Sequence, residues 1–262
     1  MMRIKDLSKR YVTNESEVLA LTEIDLDIRD GEFVSLLGPS GCGKSTLLKI
    51  MAGLLSASQG DIEIDGQPVT APGADRAVVF QDYALFPWMT VEDNVEFGLE
   101  ARGIPLDKRR QTSGELLKVV GLKDFAKKYP HHLSGGMKQR VSIARALAVE
   151  PQILLMDEPF GALDAQTRSV MQEELLRIWK LYRKTVVFVT HSIEESIYLS
   201  DRIVVMTARP GRIKTIIDVR DERPRDMTSP EMAQMQRRVR AILTEEIDRA
   251  AALEQADLVA VG

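Results

Sequence analysis

Short apolar runs and helix-like segments alternate along most of the chain. The runs that are apolar enough to be buried strands are residues 33–37, 153–156, 186–190 and 202–206. Apolar side chains recur at helical spacing over residues 45–55, and another helical stretch covers about 172–182. Strands that alternate with helices predict an α/β fold, with a mainly parallel sheet and helices on both of its faces.

Two regions depart from this alternation. Residues 2–37 contain extended runs separated by turn signals, and Asp65-Gly66 is a hairpin signal after a further strand at 61–64. From about residue 85 to 150 the pattern becomes helical. Its breaks fall at residues 103–105, 121 and 129–130. This part of the chain is therefore predicted to form an inserted helical lobe.

The end of the chain predicts a helix with one apolar face. The side chains on roughly that face are Met232, Met235, Val239, Ile242 and Ile247. Such a face packs either on its own domain or on a partner. We favour packing on its own domain.

Residues 38–46 match the spacing G-x-x-x-x-G-K-[ST], between a predicted strand and a predicted helix. Glycines let such a loop turn tightly enough for backbone N–H groups to converge on anionic oxygens, and the following helix adds its positive end. Lys44 is predicted to reach the β- and γ-phosphates, and the Ser45 hydroxyl to bind Mg²⁺. The predicted binding residues of this loop are Gly38, Pro39, Ser40, Gly41, Cys42, Gly43, Lys44, Ser45 and Thr46.

The apolar run at 153–156 ends in two carboxylates, Asp157 and Glu158. A carboxylate at the end of a buried strand can hold Mg²⁺ directly or through water, so Asp157 is predicted as a metal ligand beside Ser45. Glu158 can polarise a water molecule for in-line attack on the γ-phosphate. Together with the phosphate loop, this acidic pair indicates a Walker B site.

A second helix start, at Ser134-Gly135-Gly136, also suits an anion. Ser134 is a favourable N-cap residue, and the two glycines leave backbone N–H groups uncovered. By itself this pattern is weak, because Ser-Gly-Gly is common in plain turns.

In this combination and order, the motifs resemble the ATPase subunit of ATP-binding cassette (ABC) transporters over about residues 2–220. The segments that carry the resemblance are residues 38–46, Gln81, 133–140, 153–158, 162–164 and 190–192. The family implies an α/β P-loop NTPase core with an antiparallel N-terminal β region. Taken with the patterns along the chain, it predicts an ATPase domain over 1–225 that includes the helical lobe at about 85–150, and the apolar periodicity of the last segment predicts a helical extension over 226–262.

The family further implies partners and cofactors. Two ATPase subunits, identical or paralogous, would face each other head to tail around two Mg-ATP. Each nucleotide would lie between the phosphate loop of one subunit and Ser134, Gly135 and Gly136 of the other. Asp164 would signal across this dimer. A separate transmembrane permease would contact the subunit, and a periplasmic or lipid-anchored substrate-binding protein would act indirectly.

The resemblance also implies roles for single residues. Gln81 would line the metal and the attacking water and sense the membrane subunit. His191 would hold the γ-phosphate and Glu158 in register. Tyr11 would stack on adenine. By contrast, His131 and His132 are predicted to be surface or capping residues.

The loop at 81–90 carries large apolar side chains around a proline. Such a group is often local packing, but in this family the region forms a groove for a coupling helix of the permease. Phe86, Trp88 and Met89 are therefore predicted anchors for that helix. This stretch and residues 208–213 resemble the importer branch for nitrate, sulfonate, taurine and bicarbonate, which implies uptake of a small anion or an organosulfur compound.

Composition narrows the possibilities further. The 262 residues are 44% hydrophobic and carry a net charge of −4, with basic and acidic residues interspersed. This argues against a nucleic-acid-binding protein. No apolar run approaches the ~20 residues of a membrane-spanning helix, and no secretory signal is visible. Together with these observations, the resemblance implies a peripheral subunit on the cytoplasmic face of the inner (cell) membrane.

Cys42 is the only cysteine and lies inside the phosphate loop. Helix-end N–H groups and Lys44 are expected to favour its thiolate and to make it reactive unless ATP covers it. The alternative is a small loop residue that points into the domain.

Two other functions stay open at this point. One is an ABC-type ATPase without a transporter, working in repair, translation or cofactor assembly. A long coiled-coil insertion or a second cassette, usual in repair or translation members, does not fit 262 residues with one phosphate loop. The other is a regulatory subunit that binds ATP without hydrolysing it, and Glu158 and His191 argue against that.

Overall fold

The structure is a computed structural model that describes residues 1–12 and 17–261. Numbered along the chain, its strands are β1 (Met2–Val12), β2 (Glu17–Ile28), β3 (Phe33–Leu37), β4 (Gln59–Ile64), β5 (Gln67–Pro68), β6 (Arg76–Val79), β7 (Ile153–Asp157), β8 (Thr185–Thr190), β9 (Arg202–Met206) and β10 (Ile213–Asp218). Its helices are α1 (Lys44–Met51), α2 (Val91–Ala101), α3 (Leu106–Val119), α4 (Gly135–Ala148), α5 (Ala165–Tyr182), α6 (Ile193–Leu199) and α7 (Pro230–Val261). The chain forms two compact units, Met1–Pro72 with Thr185–Gly262, and Gly73–Lys184.

The first unit contains an antiparallel sheet with the strand order β2-β1-β4-β5. Met2 lies opposite Ile28 on β2 and opposite Ile64 on β4, so β1 is paired along both edges. At the start of β1, buried Met2 and Ile4 alternate with exposed Arg3 and Lys5, as in a sheet that covers a core with one face. The predicted antiparallel N-terminal region is confirmed.

A second group of strands in this unit has the order β10-β9-β3-β8. β3 runs parallel to both β8 and β9, and β10 returns antiparallel to β9. Every residue of β3 is buried, which explains why four of its five residues are apolar. The strand that leads into the phosphate loop is therefore an interior strand.

The helix α7 packs on the unit to which it belongs. Met232, Val239 and Leu243 are buried in one apolar cluster with Ile197 of α6 and Ile217 of β10. This agrees with the favoured interpretation of the last helix.

The prediction is wrong for one residue of the apolar face of α7. Ile247 is 48% exposed, and Leu243 takes the buried position instead. The reason is that Leu243 lies one helical turn beyond Val239 and so continues the buried stripe, whereas Ile247 extends past the cluster.

The second unit contains the parallel pair β6–β7 and the helices α2 to α5. The predicted helix breaks are confirmed, because α2 ends at Ala101 and α3 occupies only Leu106–Val119. Residues 80–90 form a loop, so the first helix of this region starts later than predicted. No helix in the described part of the chain is long and apolar enough to cross a membrane.

Two predicted helix ends need correction. α1 ends at Met51, not near residue 55, because Gly53 turns the chain with a φ of 74°. α5 begins at Ala165, well before residue 172, because the Asp164 side chain caps it by accepting a hydrogen bond from the Thr167 N–H.

Candidate functional site

The phosphate loop, residues 38–43, connects β3 to α1. Gly41 and Gly43 have φ angles of 73° and 96°, in the left-handed region that favours glycine. A Cβ on Gly43 would lie 2.6 Å from Leu21 Cδ2, so a larger residue would not fit there. These glycines let the loop curl back over the start of α1, where helix N–H groups are free of helical partners.

Lys44 is the buried cation of this loop. Its Nζ donates hydrogen bonds of 2.9 Å to the carbonyl oxygens of Gly38 and Pro39, and the residue is only 5% exposed. Among residues 1–12 and 17–261, no carboxylate forms a salt bridge with it. A buried ammonium group that is solvated by neutral carbonyl groups is well suited to an anionic ligand.

Tyr11 lies against the same helix. Its hydroxyl is 3.3 Å from the hydroxyl of Thr46 in the first turn of α1, and the ring is 40% exposed. The Lys9 ammonium lies 5.3 Å from the ring centre. A half-exposed aromatic ring therefore stands beside the phosphate loop, as its predicted role in base stacking requires.

The expectation that Cys42 is a reactive thiolate is wrong in its premise. Cys42 is fully buried, and burial raises the pKa of its thiol although the Lys44 ammonium acts in the opposite direction. A Cβ on Gly38 would lie only 2.8 Å from Cys42 Sγ. The side chain therefore points into the unit under the loop, which is the alternative that the sequence left open.

The acidic pair lies at the end of β7. Asp157 is the last residue of the strand, and Glu158 has a φ of 44°, a conformation that costs energy for a side chain other than glycine. The Gly161 N–H closes the turn onto the Glu158 carbonyl oxygen at 3.0 Å. A Cβ on Gly161 would lie 3.1 Å from Gln81 Nε2. Gln81 and the turn that presents Glu158 are thus neighbours.

Ser134 caps α4, as predicted, by accepting a hydrogen bond of 3.4 Å from the Met137 N–H. A Cβ on Gly136 would lie 2.8 Å from Thr167 Cγ2, so the first turns of α4 and α5 are in contact.

Asp164 is the N-cap of α5. Hydrogen bonds from the Thr167 N–H, at 2.9 Å, and from the Thr167 hydroxyl, at 2.7 Å, lower the pKa of its carboxyl. This capping role is independent of the predicted role across a dimer, which stays a prediction.

The loop that carries Gln81 is held by side chains that the sequence did not single out. Arg145 of α4 donates hydrogen bonds to the carbonyl oxygens of Tyr83 and Ala84, at 3.0 and 2.6 Å. Asn94 of α2 is fully buried and accepts a hydrogen bond of 2.9 Å from the Phe86 N–H. Arg145 gives no local sequence signal, because its partners lie 61 and 62 residues away along the chain.

The predicted anchors differ in their surroundings. Phe86 packs on Phe97, with ring centres 4.5 Å apart, and so has a structural role as well. Trp88 is 71% exposed, its ring centre 5.7 Å from that of Phe86. Trp88 and Met89 line a groove of about 250 Å³. The cluster is therefore a partly open surface and not a closed core.

The histidines fall at chain turns. His191 is exposed and follows β8 directly, before the Ser192 side chain caps α6. His132 Nδ1 accepts a hydrogen bond of 3.3 Å from the Tyr129 N–H, which confirms the capping role that was predicted for it.

The predicted metal ligands are a serine hydroxyl, an amide and a carboxylate: Ser45, Gln81 and Asp157. Over the described ranges, no group of three histidine, cysteine or acidic side chains could hold a metal by itself. Mg²⁺ prefers oxygen donors and is commonly bound by one or two protein groups together with phosphates. The donor chemistry of these residues therefore fits Mg²⁺ that arrives with a nucleotide.

Known proteins are similar in sequence to this chain over most of its length. The family model described as "ABC transporter" matches residues 21–161. The nitrate import ATP-binding protein NrtD of Synechocystis is 48% identical over 231 residues, covering 87% of each chain. The aliphatic sulfonates import ATP-binding protein SsuB of Bacillus subtilis is 47% identical over 231 residues, covering 88% of this chain and 89% of its own.

The fold also matches a solved structure. The ATP-binding cassette MJ0796, solved as a dimer in a post-hydrolysis state with ADP and Pi, superposes with a TM-score of 0.75 and 35% identity. The match covers 85% of this chain and 100% of the other. It confirms the predicted α/β class. On the family model and these relatives, the chain belongs to the ABC transporter family as an ATP-binding ATPase.

Proposed function

We propose that this ATPase is the energy-supplying subunit of an importer and works as a dimer that closes around two Mg-ATP. The observation that carries the proposal is the buried Lys44 ammonium, held by loop carbonyl groups at the start of α1. The likeness to nitrate and aliphatic sulfonate import proteins supports the direction of transport.

Nucleotide binding rests on charge and on a stacking surface. The Lys44 ammonium and the N–H groups at the start of α1 bind the phosphates, and Tyr11 provides a ring for adenine. Mg²⁺, held through Ser45, Gln81 and Asp157, would supply charge neutralisation on the phosphate oxygens.

Hydrolysis needs one water molecule aligned with the γ-phosphate. Glu158 orients that water and accepts its proton, because a carboxylate at the end of β7 is the available general base. His191 holds Glu158 and the phosphate in register. The other residues stabilise developing charge and form no covalent intermediate.

In the dimer, Ser134, Gly135 and Gly136 contact the nucleotide of the opposite subunit, and Asp164 reports the state of that contact. The solved dimer of the MJ0796 cassette supports a second ATPase subunit as the partner. The chain then contacts the nucleotide of the opposite subunit only when ATP is present and the dimer forms.

The permease contacts the groove beside Phe86, Trp88 and Met89, on the cytoplasmic face of the cell membrane. The transported compound belongs to the small anions and organosulfur compounds, because nitrate and aliphatic sulfonates are carried by systems of the related ATPases. The substrate itself contacts the permease and a binding protein and not this subunit.

The test compares Glu158→Gln with Lys44→Ala. Glu158→Gln should bind ATP normally, hydrolyse it at least a hundredfold more slowly, and elute as a dimer with ATP, since only the general base is lost. Lys44→Ala should lose ATP affinity, because a charge aimed at the phosphates is removed. Titration with a fluorescent ATP analogue, phosphate release and gel filtration give the three readouts.

The outcomes separate the alternatives. Near-normal hydrolysis by Glu158→Gln would reject the assignment of the base, and ATP binding without turnover by the wild type would indicate a regulatory subunit. For transport, the chain should co-purify with a co-expressed candidate permease from the same genome and drive uptake of nitrate or a sulfonate into proteoliposomes. Failure of both would favour an ATPase without a transporter.

A further inference from the structure

The segment 207–212, which connects β9 to β10, packs directly against the phosphate loop. The Gly211 N–H donates to the Ala20 carbonyl oxygen at 2.9 Å, and the Thr22 N–H donates to the Gly211 carbonyl oxygen at 3.0 Å. A Cβ on Gly211 would collide with the carbonyl oxygen of Cys42. Backbone therefore meets backbone here, and only glycine permits the approach.

The same segment reaches a second part of the phosphate loop. Arg209 Nη2 lies 3.8 Å from the position that a Cβ on Gly41 would occupy. The connection between β9 and β10 thus approaches the loop closely at Cys42 and brings the Arg209 guanidinium near Gly41, the residue before it.

The segment is fixed by two sets of hydrogen bonds. Within it, the Thr207 hydroxyl donates to the Pro210 carbonyl oxygen at 3.0 Å and accepts from the Arg212 N–H at 2.9 Å. From outside, Glu246 of α7 accepts a hydrogen bond of 2.8 Å from the Ala208 N–H through its Oε2. This second contact links the last helix of the chain to the phosphate loop.

Glu246 is a buried carboxylate with both oxygens in use. Its side chain is 5% exposed, and Oε1 accepts a hydrogen bond of 2.7 Å from Lys214 Nζ. Burial alone would raise the pKa of this carboxyl, but the Lys214 ammonium and the Ala208 N–H outweigh it, so the pKa is lowered. The residue is therefore a carboxylate at neutral pH and a fixed acceptor for the segment.

We propose that α7, through Glu246, positions the phosphate loop for ATP. A glycine-rich loop keeps little stiffness of its own, so its N–H groups converge only where neighbouring backbone holds them. The segment 207–212 supplies that support, and Glu246 anchors it. Glu246 is thus a positioning residue of the nucleotide site, and the inference rests on the phosphate loop binding ATP.

The experiment compares Glu246→Ala with Glu246→Gln and with the control Glu245→Ala. Glu245 also pairs with Lys214, but it is 70% exposed and does not bind Ala208. Glu246→Ala should weaken ATP binding roughly tenfold, since a hydrogen bond to a buried charged acceptor is lost. At saturating ATP its hydrolysis rate should stay near that of the wild type.

Glu246→Gln keeps an acceptor for the Ala208 N–H and should restore ATP affinity to within about twofold. Glu245→Ala should bind ATP like the wild type. Affinity is measured with a fluorescent ATP analogue, at a temperature well below the unfolding midpoint of each variant. If Glu246→Ala does not fold, Glu246→Asp withdraws the carboxylate by one methylene and should show the same loss.

An unchanged ATP affinity in a less stable Glu246→Ala protein would overturn the proposal, because the residue would then be structural only. Equal losses in Glu246→Ala and Glu245→Ala would overturn it as well, since Lys214 and not Ala208 would be the relevant partner. A wild-type protein that binds no ATP would instead contradict the proposed function, so the two failures are distinguishable.

Discussion

Arg145 Nη2 donates a hydrogen bond of 3.0 Å to the carbonyl oxygen of Tyr83. Tyr83 and Ala84 both have positive φ, at 63° and 46°, so this part of the loop holds a conformation that few side chains adopt. The hydroxyl of Tyr83 would lie 3.1 Å from a Cβ on Gly135. The helix α4, which carries the Ser134-Gly135-Gly136 motif, therefore also holds the loop of Gln81.

Arg145→Ala should lower the free energy of unfolding by about 2 kcal/mol, because two carbonyl groups lose a charged donor. It should also lower the rate of ATP hydrolysis, because loosening the loop would displace Gln81 from its position. Urea denaturation and phosphate release measure both effects. The control is Arg102→Ala, whose guanidinium donates to the Val149 carbonyl oxygen from an exposed position. A similar loss in both variants would contradict a specific role for Arg145.

Trp88→Ala should leave stability and basal ATP hydrolysis near normal and reduce assembly with the permease several-fold. The reason is that Trp88 is 71% exposed and lines the groove, so its apolar surface contacts little of its own chain. Pull-down from detergent measures assembly. Leu181→Ala, at an exposed apolar position outside the groove, should assemble normally. Strong destabilisation by Trp88→Ala with intact assembly would identify the cluster as packing.

Asp93→Asn should destabilise the protein by about 1 kcal/mol at pH 7. Asp93 and Thr90 form a reciprocal cap at the start of α2. Burial would raise the pKa of the Asp93 carboxyl, but the hydrogen bonds from Thr90 and the Arg110 guanidinium hold this pKa below its usual value of 3.8. The stabilisation is therefore present above about pH 4 and disappears as the pH falls through the lowered pKa.

Urea denaturation at pH 7 and pH 3 tests this sign. The difference between Asp93→Asn and the wild type should shrink at pH 3. The control is Asp107→Asn in the first turn of α3, which should change the free energy of unfolding by less than about 0.5 kcal/mol at either pH. A constant difference across this range would refute the assignment.

Cys42 should react slowly with a maleimide in the native protein even when no ATP is present. It is fully buried beneath Gly38, and burial raises the pKa of its thiol. Labelling should become fast only when the protein unfolds in urea. Mass spectrometry after timed labelling measures the rates. Fast labelling that ATP prevents would restore the expectation drawn from the sequence.

Much of the fold and the family could be predicted from the sequence. The buried strands β3, β7, β8 and β9 are mostly apolar runs, and the glycine spacing of the phosphate loop is a local requirement of its backbone. Ser134 and the breaks around α3 are local signals of the same kind. Such features depend on residues that are neighbours along the chain, so they can be read without coordinates.

Only the tertiary structure decided how these pieces are held. The Arg145–Tyr83 contact joins residues 62 positions apart, and the Glu246–Ala208 contact joins residues 38 positions apart. The Cys42 side chain points inward, next to Gly38 of the same loop. Leu243 is buried and Ile247 exposed because the apolar cluster ends near Leu243. Hydrophobic periodicity indicates which side of an element is buried, but a partner that arrives from a distant segment exists only once the chain has folded.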